Sequence, residues 1–399
     1  MITEKIVLNN PEKYAKVPEF NKAKLEAAAE KVVDKLEART KKFGLDGYPW
    51  MCSKNYKYEM RPNNDWQSGM YMGCNWLAYE LTGNKYFREC AEYQLASFRE
   101  RFDKGVGIDN HDLGFVYIPS ALAAYKVTGN EEGLKLALDA ANYLYSANYS
   151  QKGKFIIRMN KACTPENPAG CRTMMDSLMN APLMFWAWKH TGDEKFYHAA
   201  LDHNRTTEQL LIRADGSSYH HYQFDPLTWG PVRGLTFQGH ADESCWSRGH
   251  SWGVYGFAIA YSYAHEEFLR DVHKGVSLFM LNHLPDDMIP CWDYDFTTPD
   301  NYRDASAACI SACGMREMSS QLTEGDPDKT LFESAAYQLL DAVIDKCTAD
   351  IGCEYDGFIH HVSHALPQGY GFDECAVYGD YFYLEALTRY LKPDWNKYW

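Results

Sequence analysis

A turn that recurs along this chain limits its fold more than any other feature. Thr82-Gly83-Asn84 precedes Lys85-Tyr86-Phe87, Thr128-Gly129-Asn130 precedes Glu131-Glu132, and Thr191-Gly192-Asp193 precedes Glu194-Lys195-Phe196. Ala264-His265-Glu266-Glu267-Phe268 and Glu324-Gly325-Asp326-Pro327 are weaker versions. The glycine suits the left-handed residue that closes a helix. Asn or Asp then caps the next helix, often with acids in its first turn. Turns this short join antiparallel neighbours. The flanking stretches 134–145 and 183–188 are apolar-rich without strand alternation. The turns lie about 46 to 72 residues apart, too far and too irregularly for a short-period solenoid. About six helical hairpins of this size, the last including residues 381–390, predict an all-α closed double ring. No Ser/Gly/Pro linker divides the chain, so one domain over residues 1–399 is expected. Residues 164–170 and 214–239, rich in Gly, Pro, polar and aromatic residues, read as long loops over one end of the ring.

Composition narrows the function. The net charge of −14 makes nucleic acid a poor partner, because phosphate binding needs basic surface. No apolar run approaches the roughly 20 residues that span a bilayer, so no membrane association is expected. The N-terminal stretch lacks a basic segment followed by an apolar one, which predicts a cytoplasmic protein unless a leader was trimmed. The 12 cysteines include no CxxC pair, and Cys309 and Cys313 are one helical turn apart. Reduced thiols and no structural metal are expected. Aromatics make up 15%, with 29 Tyr and 11 Trp. They fit a large core, or stacking faces for a flat or pyranose ligand.

Counting back from the turns brings four residues together. Trp66, Asp112 and Arg248 lie 16 residues before Thr82, Thr128 and Ala264, and Asp176 lies 15 before Thr191. At 1.5 Å per residue each is roughly 24 Å from its turn. Parallel inner helices would therefore bring a tryptophan, two carboxylates and an arginine to one rim, a composition suited to a sugar acid. Each also has a plainer reading. Asn110 or Asp112, in Asp109-Asn110-His111-Asp112-Leu113-Gly114-Phe115, could simply cap the helix that follows. Asp176, in Thr173-Met174-Met175-Asp176-Ser177-Leu178-Met179-Asn180, could be a satisfied buried carboxylate. Left unpaired among methionines, it would lose hydration at high cost, and burial or a second carboxylate would raise its pKa toward that of a general acid. Arg248 and Trp252 share a helix face at i and i+4. Arg248 could grip a carboxylate or simply stack on a core tryptophan.

These segments resemble the unsaturated glucuronyl hydrolases of glycoside hydrolase family 88. The resemblance rests on His111-Asp112-Leu113-Gly114-Phe115, Met175-Asp176-Ser177-Leu178-Met179-Asn180, Ala241-Asp242-Glu243-Ser244 leading to Arg248 and Trp252, and Tyr378-Gly379-Asp380-Tyr381-Phe382-Tyr383. It implies an (α/α)6 barrel that uses no metal or cofactor. The implied substrate is the unsaturated uronic acid that lyases leave at the non-reducing end of oligosaccharides. By resemblance Asp176 is the general acid/base: it protonates C4 of the C4=C5 bond and activates water for C5, and the hemiketal then opens and releases the aglycone. Asp112 resembles the second essential carboxylate. Because a vinyl ether is hydrated, the carboxylate-spacing rule of ordinary glycosidases does not apply. The resemblance also makes Trp66 a stacking residue and His111 the neighbour of the carboxylate. It places His220 near the reacting atoms, Gln238, Arg248 and Trp252 around the uronate, and His361 where the family often has Leu-His.

The chain departs from the pattern in places. Ser363-His364 stands where a tyrosine is expected, Met159 follows Arg158 where an aromatic is expected, and Tyr378 replaces a common tryptophan. Residues 363–370 hold no Lys or Arg, which points to unsulfated substrates or an unusual aglycone. Three other readings stay open. One is an unsaturated rhamnogalacturonyl hydrolase. Another is a sugar epimerase using His220, His221, His250 or His361, and the third is a carbohydrate-binding protein needing neither aspartate.

Overall fold

The computed structural model describes residues 1–348 and 354–399. Its α-helices are, in order, α1 (Lys22–Phe43), α2 (Ser68–Thr82), α3 (Lys85–Asp103), α4 (Leu113–Tyr117), α5 (Ala123–Thr128), α6 (Glu131–Tyr143), α7 (Pro182–Thr191), α8 (Glu194–Leu210), α9 (Ser247–Ala264), α10 (Glu267–His283), α11 (Ala305–Gln321), α12 (Pro327–Lys346) and α13 (Val377–Leu391). The recurring turns do what their residues predict. Gly83, Gly129 and Gly192 close α2, α5 and α7 at φ of 70°, 73° and 73°. Asn84, Asn130 and Asp193 then cap the next helix by accepting from Tyr86, Gly133 and Lys195 N–H. His265 takes the glycine's place after α9 at φ 50°. Gly325 does not cap α11: the helix ends at Gln321, and the glycine lies in the following loop.

Burial sorts the helices into two rings. Residues 247–260 of α9 and 377–389 of α13 are buried without a break, as helices enclosed on all sides must be. α3, α6 and α8 bury one face only, and α10 does so in its first half. α4 and α5 act as one inner helix. Pro119 lacks the N–H a regular helix needs, and the wide turn Ile118–Leu122 joins the two segments. The inner helices then touch in sequence: α2 meets the α4–α5 unit, α4 meets α7, α7 meets α9, α9 meets α11, α11 meets α13, and α13 returns to α2. Each pairs with an outer helix, and α1 packs on α13 to complete the sixth pair. The buried ion pair of Arg39 with Asp380, at 2.6 Å, pins that closing seam, and Asp380 also accepts from Phe358 N–H and the Tyr58 hydroxyl.

Two features lie outside the all-α expectation. Arg172–Met174, His221–Phe224 and Pro231–Leu235 form a three-stranded antiparallel sheet, the second and third strands inside the segment 214–239 expected to be a long loop. The sheet sits at the N-terminal ends of the inner helices. At the opposite end, residues 395–399 plug the barrel. Tyr398 and Trp395 donate to Glu80 of α2, Lys126 of α5 donates to the carbonyls of Lys397 and Tyr398, and the Trp399 indole donates to Glu385 of α13. Trp399 and Tyr398 are fully buried. The expectation of reduced cysteines fails at one pair: Cys163 and Cys171 are disulfide-bonded, because the turns at 164–170 fold that loop back on itself. The other nine described cysteines are free and buried.

Candidate active site

All six inner helices begin at one end of the barrel, and a cavity of about 340 Å³ opens there. Trp66 precedes α2, Asp112 precedes α4, Asp176 lies in the tight turn Met175–Met179 before α7, and Arg248 is in the first turn of α9. All four line the cavity, as counting back from the turns predicts, together with His111, Gln238 and Trp252. Helix N-termini carry partial positive charge, which favours an anionic ligand at this end.

The Asp112 side chain makes no cap bond to α4. Asn110 instead accepts from Asp112 N–H at 2.7 Å, which frees the carboxyl to face the cavity. Burial pushes the Asp112 carboxyl up to about 7, against the lowering effect of the Arg158 charge. Asp176 is also raised by burial, to about 6; His111 opposes the shift and Asp112 adds to it. Its Oδ1 is buried and has no partner among the described residues. The turn that carries it is held at both ends. Met175 N–H donates to the His220 carbonyl at 3.0 Å, and Asn180 donates to the Asp176 carbonyl while accepting from Phe115 N–H. His111 Nε2 lies 3.3 Å from Asp112 Oδ1. Burial lowers His111 to about 4, so it is a neutral neighbour at ordinary pH.

The walls are fixed by stacking. Trp66 stacks on Tyr378 at 5.3 Å and 21°, and Trp252 packs on Phe115 at 5.0 Å. Arg248 is not free to grip a ligand carboxylate with its whole guanidinium. It is paired with Asp304 and donates at 2.7 Å to the carbonyls of Ser363 and His364. Gln238 donates to that same His364 carbonyl at 2.9 Å.

Two expected site residues lie elsewhere. The His361 side chain faces away from the cavity and pairs through Nδ1 with Asp373 at 2.6 Å. Its backbone sits at φ 60°, which turns the chain so that His364, three residues on, enters the cavity instead. His220 is one layer behind the wall, packed on Trp246 at 4.4 Å, with Nδ1 accepting from Phe237 N–H. Its carbonyl holds the Asp176 turn, its ring holds the Phe237 backbone, and its Nε2 is buried with no partner among the described residues. Sequence reasoning did not pick out Asp65, Phe115, Met174, Phe237, Trp246, Gln368 or Tyr370, which also line the cavity. Among the described residues no group of three or more His, Cys, Asp or Glu is placed to hold a metal ion.

A family model described as Glycosyl Hydrolase Family 88 matches residues 48–391. The chain belongs to that family. It is 38% identical to the unsaturated chondroitin disaccharide hydrolase of Streptococcus pneumoniae over 98% of both chains. It is 39% identical to the unsaturated glucuronyl hydrolase of Bacillus sp. (strain GL1), over 90% of this chain and 94% of that protein. The crystal structure of an unsaturated glucuronyl hydrolase from Streptococcus agalactiae superposes with a TM-score of 0.95 at 34% identity, covering 100% of this chain and 99% of that one. The protein is a glycoside hydrolase on the helical-hairpin barrel of those relatives. In a family-88 hydrolase built this way, two carboxyls with raised pKa values face one cavity between a stacking wall and an arginine-lined wall. That arrangement can hold a pyranose ring while moving one proton near neutral pH.

Proposed function

We propose that this enzyme releases the unsaturated 4,5-ene uronic acid from the non-reducing end of lyase-generated oligosaccharides. Asp176 carries the reading: it is a buried carboxyl in the cavity with an unpartnered oxygen and a raised pKa, beside a second raised carboxyl. Protonated Asp176 delivers its proton to C4 as the vinyl-ether π bond breaks, leaving an oxocarbenium ion at C5. The same carboxylate then takes a proton from a water whose oxygen bonds to C5. The resulting hemiketal opens and expels the aglycone. Asp112 holds ring hydroxyls beside Asp176. Trp66 and Trp252 offer ring faces, His111 lies beside Asp112, and Gln238 and Arg248 bound the uronate pocket.

The unsaturated uronate absorbs in the ultraviolet through its conjugated double bond. Absorbance is expected to fall when the enzyme meets lyase-generated disaccharides. Unchanged absorbance across chondroitin, hyaluronan, heparin, gellan, ulvan and glucuronoxylan fragments would overturn the reading. The proposal includes one catalytic domain over residues 1–399, which the helix pairing of α1 with α13 supports. Among the described residues no helix is long and apolar enough to cross a membrane. The proposal also includes a cytoplasmic location, supported by nine free buried thiols and opposed by the Cys163–Cys171 bond. Finding that bond reduced in alkylated cell extract would favour the cytoplasm; finding it intact would favour an oxidising compartment.

A further inference from the structure

One arginine lines the cavity and a second lies behind it, and neither is in an ion pair among the described residues. Arg158 lines the cavity beside the exposed Met159. Its guanidinium meets no carboxylate within 4.0 Å among the described residues, and its one side-chain hydrogen bond is to Met159 Sδ. Arg172 is half-buried, and its Nε is buried with no partner among the described residues. Both guanidinium groups lie on the Phe237 ring, Arg172 at 4.1 Å and Arg158 at 5.6 Å. His221 stacks on that ring at 4.4 Å, and both its nitrogens are buried without partners among the described residues. In a chain of net charge −14, two neighbouring arginines with no carboxylate within 4.0 Å among the described residues stand out. Burial and the Arg158 charge lower Arg172 to about 10, a cost that a bound anion would remove.

Backbone bonds set this cluster in place. His111 N–H donates to the Arg158 carbonyl, and Arg158 N–H donates to the Arg172 carbonyl at 2.8 Å. The strand pairing of Met174 with His221 extends the ladder. Arg248 contrasts with both arginines, since Asp304 already neutralises it.

We propose that Arg158 and Arg172, mounted on Phe237, form an anion subsite for the aglycone and set substrate preference. This rests on the function proposed above, and takes the rest of the oligosaccharide past Arg158. The group taken is a sulfate ester on the leaving sugar or a carboxylate on the sugar after it. Planar guanidinium forks suit either. The absence of Lys and Arg from residues 363–370 then does not make the mouth neutral, because the basic groups come from a different segment.

The test compares kcat/KM for three substrates: an unsaturated uronyl-hexosamine disaccharide, the same disaccharide sulfated on the hexosamine, and the unsulfated tetrasaccharide whose third sugar carries a carboxylate. Wild-type enzyme is expected to favour one charged substrate over the plain disaccharide by about tenfold, and which one it favours identifies the anion. Arg158→Gln is expected to bring that ratio near one, Arg172→Gln to lower it, and Arg158→Lys to keep part of it. Added salt should erode it. Dissociation constants measured in an Asp176→Asn background give the ratio where turnover is lost. A wild-type enzyme indifferent to aglycone charge, or a ratio unmoved by Arg158→Gln, would overturn the subsite. Failure to turn over any of the three would instead overturn the proposed function.

Discussion

At the residue scale, the two aspartates owe their chemistry to burial. Both carboxyls titrate in the folded enzyme above their ordinary 3.8, Asp176 near 6 and Asp112 near 7. On the proposed mechanism the acid that protonates C4 is therefore present at low pH and lost as pH rises through about 6 to 7. kcat/KM is expected to fall over that window. The same shifts cost stability. A carboxyl whose folded pKa is raised binds its proton more tightly folded than unfolded, so stability falls as pH climbs from about 4 to about 7 and then levels off. Asp176→Asn should stabilise the enzyme by on the order of 2 kcal/mol at pH 8 and by almost nothing at pH 3. Denaturant melts at the two pH values measure this, and a destabilised variant at pH 8 would contradict it. Trp66, Asp112, Asp176 and Arg248 were legible in the sequence because each sits a fixed helical distance before a marked turn. His364 was not legible over His361, because which of two nearby histidines faces inward depends on a single positive φ.

At the scale of elements, close helix approach positions the catalytic turn. A Cβ on Gly114 would lie 2.4 Å from Asn180 Cα and 2.8 Å from its Oδ1. Asn180 is the residue that holds the Asp176 carbonyl. Gly114→Ala is expected to push that turn, lowering kcat by tenfold or more and destabilising by about 1–3 kcal/mol. Thermal melts and steady-state kinetics read both effects. Loss of stability with unaltered kcat would show that α4 does not set the turn. The helix boundaries were readable because Gly, Asn and Asp act locally on the backbone. The three short strands were not. The first strand pairs with the second across about fifty residues, as Arg172 does with Gln223, and the second and third form a hairpin of only four and five residues inside a Gly- and Pro-rich segment. That sheet positions Arg158, Arg172 and Phe237, so the mouth was hidden with it.

At the scale of the whole molecule, the barrel has a chemical end and a structural end. The inner helices point their N-termini at the cavity, and the tail at residues 395–399 seals their C-terminal ends. Trp399 stacks on Phe382 at 5.8 Å and 19° and is fully buried. Its contacts span 14 residues or more of chain, so no local signal marked the tail as core. Trp399→Ala is expected to cost about 3–5 kcal/mol by opening a cavity, measurable as a lower denaturant midpoint; an unchanged midpoint would mean the tail only covers the surface. The central claim is that Asp176 hydrates a double bond and does not break the C1 linkage directly. Mass spectrometry of the released uronate after turnover in deuterium oxide tests it most directly. One deuterium at C4, read before enolisation next to the new C5 ketone adds more, is the expected product, and Asp176→Asn should form none of it. Release of a uronate that keeps its C4=C5 bond and carries no deuterium at C4 would contradict the account.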